Sequence, residues 1–125
     1  ALEAIDIIIN EKMIENVRHL EPIFMGGLKN FEDLEFIGES RGIGLMGALE
    51  MVQDKKNKLP FDGSISIGER VANKCIENGL ICRPLGPSIV LCPPFITSEE
   101  EMGIIFDTLE KTLKEVFSEV KSLGQ

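Results

Sequence analysis

The sequence predicts an α+β fold: a small, mostly antiparallel sheet of about four strands with helices packed on one face, in the order α-β-β-α-β-β-α. Three observations carry this expectation. Both ends and one central segment repeat apolar residues at the 3.6-residue helical period. The two stretches between them hold short apolar runs punctuated by glycine and proline, the pattern of strands joined by turns. A chain of 125 residues has room for one core and not two.

Each element has its own justification. From Ala1 to about Asn30, Ile5, Ile8, Ile9, Met13, Ile14, Val17, Leu20, Phe24 and Leu28 follow the helical period, with bends allowed at Asn10 or Pro22. From Glu35 to Val52, apolar runs broken by Gly38, Gly42, Gly44 and Gly47 read as two strands with a turn around Arg41-Gly42. Asp54 to Asp62 is a polar surface loop. Ser66 with Glu69 three residues on has capping-box spacing, and the helix it opens stops at Asn78-Gly79. Leu80–Arg83 and Ser88–Cys92 are strand-like runs around Pro84-Leu85-Gly86-Pro87, a hairpin linker that Pro93-Pro94 closes. Thr97 or Ser98 caps the last helix, Glu99, Glu100 and Glu101 complement its positive end, and the helix ends at Leu123-Gly124.

Composition narrows the function classes. Thirteen basic against twenty-one acidic residues give a net charge of −8, a field that repels phosphate backbones and anionic lipid surfaces and argues against nucleic-acid and membrane partners. No apolar run approaches the roughly 20 residues that span a bilayer. Cys75, Cys82 and Cys92 have neither disulfide-framework nor zinc-ligand spacing, so a metal is not expected and a reducing, cytoplasmic compartment is. The chain begins at Ala1 with helical periodicity and no residue ahead to cap it, which reads as a chain cut inside a helix.

Few residues offer chemistry. The single histidine, His19, has no oriented nucleophile near it in sequence and reads as a packing or surface residue. Gly42, Gly44 and Gly47 resemble a phosphate loop only loosely, because no helix follows them to receive a phosphate at its N-terminus. Glu39 and Glu50 show no pairing that spacing alone establishes. Arg83 stands at a strand end before a proline turn, where its guanidinium either forms a structural salt bridge or clasps a ligand carboxylate.

Two stretches together resemble class III aminotransferases. These are Arg41-Gly42-Ile43-Gly44-Leu45-Met46 with Glu50, and Gly79-Leu80-Ile81-Cys82-Arg83-Pro84-Leu85-Gly86 running into Ile89-Val90-Leu91-Cys92-Pro93-Pro94-Phe95. The resemblance spans the chain and matches only the C-terminal small domain of these fold type I pyridoxal-phosphate enzymes. It implies amino transfer from an amine or omega-amino acid to a keto acid such as pyruvate, through a cofactor and a Schiff-base lysine belonging to a large domain not contained in residues 1–125. The fragment alone is then inactive, with no catalytic or cofactor-binding residue of its own, and the whole enzyme is a homodimer. The resemblance makes Arg83 the arginine that binds the substrate carboxylate in amine:pyruvate and diaminopelargonate-type members. Ornithine-, acetylornithine- and 4-aminobutyrate-type members instead place an arginine at the position of Val90, which disfavours those substrates here. The competing reading is a free-standing metabolite-binding or dimerisation module without catalysis.

Overall fold

The computed structural model describes residues 1–124. Four α-helices and four strands follow the order α1 (Leu2–Asn10), α2 (Met13–Asn30), β1 (Ile37–Ile43), β2 (Met46–Met51), α3 (Ile67–Glu77), β3 (Arg83–Leu85), β4 (Ser88–Leu91) and α4 (Glu99–Ser122). The sheet is antiparallel throughout, with strand order β1-β2-β4-β3. The expected α+β class and four strands are present, and the number of helices needs one correction. The first helical segment is two helices, because Lys12 adopts a left-handed conformation (φ 52°) that breaks the axis. The physical reason lies in burial. No residue of α1 is buried, so nothing holds α1 to the direction that Leu20, Phe24 and Leu28 impose on α2. Pro22, by contrast, sits on the exposed side of α2 and does not end it.

The core lies between one face of the sheet and the helices. Gly47, Leu49 and Met51 of β2, with Ile89 and Leu91 of β4, point inward against Phe24, Leu28, Val71, Leu109 and Leu113. Gly47 is required there: a Cβ would fall 2.4 Å from Leu28 Cδ1 and 2.9 Å from Phe24 Cε2. The first hairpin turns at Gly44 (φ +58°) and Leu45 rather than at Arg41-Gly42, which lie inside β1. The second hairpin turns at Gly86-Pro87, and Leu80–Cys82 precede its strand instead of forming it.

The two caps also differ. At α4, Ser98 Oγ accepts from the Glu101 N–H at 3.1 Å and Glu101 Oε1 accepts from the Ser98 N–H at 3.0 Å, a complete capping box. At α3, Ser66 makes no such bond. It is left-handed (φ 50°), its hydroxyl donates to the Gly63 carbonyl, and it is Asp62 that caps the preceding 3-10 turn by accepting from Ser64 N–H.

Glu32 ties the 3-10 turn Phe31–Asp33 to β1. One carboxylate oxygen accepts from the Ser40 hydroxyl at 2.8 Å and N–H at 3.0 Å, and the other lies 2.6 Å from Lys29 Nζ. Lys29 first, then Ser40, hold its pKa at about 2 against an ordinary 4.5. A carboxyl lowered on folding adds stability above its ordinary value and loses it as pH falls toward the folded value. Glu32→Gln is therefore expected to flatten the acid limb of the stability curve between about 4.5 and about 2, measured as urea midpoints against pH. An unchanged acid limb would mean the network forms no more readily in the folded chain than in the unfolded one.

Candidate functional site

Side chains alternate across a strand, so a sheet buried on one side displays every second residue on the other. Here that open face carries Glu39, Arg41 and Ile43 from β1, Met46, Ala48 and Glu50 from β2, Ser88 and Val90 from β4, and Arg83 and Leu85 from β3. Cross-strand register places Arg41 opposite Ala48, Ala48 opposite Val90, and Val90 opposite Arg83. Two arginines thus bracket one row of the sheet, their Cα atoms about 14 Å apart at three strand spacings. Between them Ala48 and Val90 form an apolar floor, flanked by Ile43, Met46 and Leu85, which are 71%, 54% and 61% exposed. A shallow concavity of about 260 Å³ runs over this floor and reaches Arg41 and Ser88.

The two guanidiniums are in different states. Arg41 is committed: one of its terminal nitrogens lies 2.9 Å from Glu50 Oε2 and 3.6 Å from Glu39 Oε2. Glu39 and Glu50, for which spacing alone establishes no acid/base pair, both face this guanidinium. Arg83 is exposed and, among the described residues, makes no ion pair or side-chain hydrogen bond. Among the described residues, the structural salt bridge that its sequence position allowed is absent. An arginine held at a sheet edge beside an apolar floor, with its five donors uncommitted, is suited to a planar anion such as a carboxylate.

The other candidates have structural duties. His19 Nε2 lies 2.6 Å from Glu99 Oε1 and links α2 to the first turn of α4. Asn16 of α2 donates to the Phe95 carbonyl at 2.6 Å and the Thr97 carbonyl at 3.2 Å, and Glu21 accepts from the Gly44 N–H, so one helix secures both connections at that end of the sheet. The glycine series makes a turn and close packing, as expected. Cys75 and Cys82 are buried, and the hydrogen bond with the neighbouring Cys75 thiol, followed by burial, pushes the Cys82 thiol up, away from the thiolate form. Among the described residues there is no group of three or more metal-ligating side chains. Among the described residues, no helix is long and apolar enough to cross a membrane.

The sequence-based reading of Arg83 missed its surroundings. Nothing local in the sequence places Arg41, 42 positions earlier, in the same row, nor sets Val90 directly beside Arg83. The signal lay in the hairpin register, which becomes legible only once Gly44 and Gly86 are identified as the turning residues.

Comparison with known proteins places this sheet in a family. The model of the family described as aminotransferase class-III matches residues 1–113. The chain belongs to the class III aminotransferases. Among solved structures of this family, the omega-transferase from Vibrio fluvialis JS17 superposes with a TM-score of 0.95 at 56% identity, over 97% of this chain and 29% of that one. The adenosylmethionine-8-amino-7-oxononanoate aminotransferase of Methanocaldococcus jannaschii is 36% identical over 115 residues, which are 92% of this chain and 25% of that protein. The gamma aminobutyrate transaminase 1, mitochondrial, of Solanum lycopersicum is 36% identical over 98% of this chain and 24% of its own length. The chain therefore spans about a quarter of the length of the curated relatives it matches.

Proposed function

We propose that residues 1–125 are the C-terminal small domain of a pyridoxal-phosphate-dependent transaminase, and that Arg83 binds the carboxylate of its keto acid or amino acid substrate. The observation that carries this reading is the guanidinium of Arg83, unpaired among the described residues, at the edge of the open sheet face, in a family whose reaction handles carboxylate-bearing substrates. Val90 supports it as well. An arginine there would stand next to Arg83 and take the same anion, and this chain has an apolar residue instead.

The side chains of this chain do not fit the cofactor. A lysine that forms a Schiff base is made reactive by desolvation or a cationic neighbour that lowers its pKa. Eight of the nine lysines are exposed. The ninth, Lys74, lies 3.0 Å from Glu77 Oε2, which raises its pKa and keeps it protonated. The cofactor belongs to other parts of the enzyme. The apolar residues that α1 leaves exposed, Leu2, Ile5 and Ile9 among them, are those expected of a helix covered by further protein, whether the large domain or the second subunit of a homodimer. Three free thiols, two of them buried, suit a cytoplasmic enzyme.

The test separates the domain from the enzyme. With pyridoxal phosphate, an amine and pyruvate, this chain alone is expected to show no turnover, whereas the longer protein that contains it transaminates. Turnover by residues 1–125 would overturn the division of labour, and calorimetric binding of keto acids by the isolated chain would favour a free-standing binding module.

A further inference from the structure

We infer that Gly68 is a positioning residue for Arg83, acting through a backbone-to-backbone contact between α3 and the turn of the second hairpin. The inference rests on the reading of Arg83 as the carboxylate-binding group. Gly68 is the second residue of α3 and is buried. A Cβ built on it would lie 2.2 Å from the Gly86 carbonyl oxygen and 3.2 Å from the Ser88 carbonyl oxygen. Both are main-chain atoms and cannot swing aside as a flexible side chain would. The helix and the hairpin meet at the closest approach that two backbones allow, and the missing side chain is what allows it.

What would move if the gap were filled follows from how each partner is held. Helix α3 is rooted in the core by Ile67, Val71, Ala72 and Cys75. Its entry is fixed by the Arg70 Nε–H donating to the Ile65 carbonyl at 2.6 Å and by the Ser66 N–H donating to the Gly63 carbonyl at 3.2 Å. Strand β4 is anchored by buried Ile89 and Leu91 and by pairing with β2. The Met51 N–H donating to the Pro87 carbonyl at 3.0 Å secures the start of β4 to the end of β2. Strand β3 has no comparable hold: all three of its residues are exposed, it pairs on one side only, and Gly86 at the tip is left-handed (φ +58°). The tip and β3 are therefore the part that yields, and β3 begins with Arg83. A displacement of roughly 1 Å at a group that orients substrate is enough to cost about a hundredfold in rate.

The experiment uses the longer transaminase with its cofactor and compares Arg83→Ala, Gly68→Ala and, as a control, Gly103→Ala, where an added Cβ meets open space on α4. Half-reactions are followed with alanine, which carries a carboxylate, and with benzylamine, which does not. Arg83→Ala is expected to lower kcat/KM for alanine by about tenfold or more and to leave benzylamine within about threefold. Gly68→Ala is expected to reproduce that split through KM, with the melting temperature lowered by only a few degrees, and Gly103→Ala to change neither substrate. Equal losses on both substrates, or no loss, from Gly68→Ala while Arg83→Ala shows the split would overturn the inference and leave the role of Arg83 standing. A Gly68→Ala protein that does not fold would also overturn it, since the strain would then have gone into the core and not into the hairpin. Equal effects from Arg83→Ala would instead remove the carboxylate reading, and the inference with it.

Discussion

In the longer enzyme, Arg83→Ala is expected to raise KM for keto acids about 30- to 1,000-fold, equivalent to about 2–4 kcal/mol, while changing KM for carboxylate-free amines little. The size follows from what is left behind. A carboxylate that has shed water to enter an enzyme site and then finds no guanidinium bears its desolvation cost alone, which exceeds the value of an ordinary surface ion pair. The same substitution should leave the stability of residues 1–125 within about 0.5 kcal/mol, because Arg83 is exposed and unpaired among the described residues. Steady-state kinetics with pyruvate as the varied substrate, beside denaturant midpoints of the isolated chain, measure the two effects separately. A large fall in stability with no change in KM would reassign Arg83 to holding the fold.

A second large effect is expected at Phe24. Its side chain is fully buried where α2 meets the sheet, its ring stacks on Phe106 with centroids 6.0 Å apart, and the absent side chain of Gly47 leaves space for it. Phe24→Ala removes the ring and leaves a cavity that β2 cannot close, because the facing residue has no side chain to move into it. The expected cost is about 3–5 kcal/mol, or a fall of about 10–20 °C in melting temperature for a chain of this size. Phe24→Leu, which keeps much of the volume, should recover more than half of the loss. Thermal unfolding of both variants checks this; equal losses would show that the aromatic pairing with Phe106 and not the filled volume is what matters.

Much of this fold could be read from the sequence, and the exceptions share a cause. The apolar stripe from Val17 to Leu28, the Ser98 cap and the glycine stop at Gly79 are local signals, each complete within a few residues, and each appears where expected. The sequence puts the first turn at Arg41-Gly42, two residues early, because Gly42 and Gly44 satisfy turn chemistry equally well in isolation. Only packing separates them: Gly47 must face Leu28 and Phe24, which fixes the register and leaves Gly44 at the bend. Ser66 has capping-box spacing yet does not cap, because the preceding 3-10 turn brings the chain into α3 in a left-handed conformation that aims its hydroxyl back at Gly63. The site follows the same division. Arg83 could be named from its place before a proline turn, whereas its shared row with Val90, Ala48 and Arg41 depends on pairing across four strands, which no local pattern encodes.

The proline that follows Arg83 has a consequence for assembly. Edge strands invite growth of a sheet, since unpaired donors and acceptors along their outer side template an incoming chain. Strand β3 is three residues long and its middle residue, Pro84, has no N–H to offer, so the margin that carries Arg83 is a poor template. Another polypeptide segment would gain little by adding itself there. The guanidinium of Arg83 therefore stands beside a border closed to strand addition.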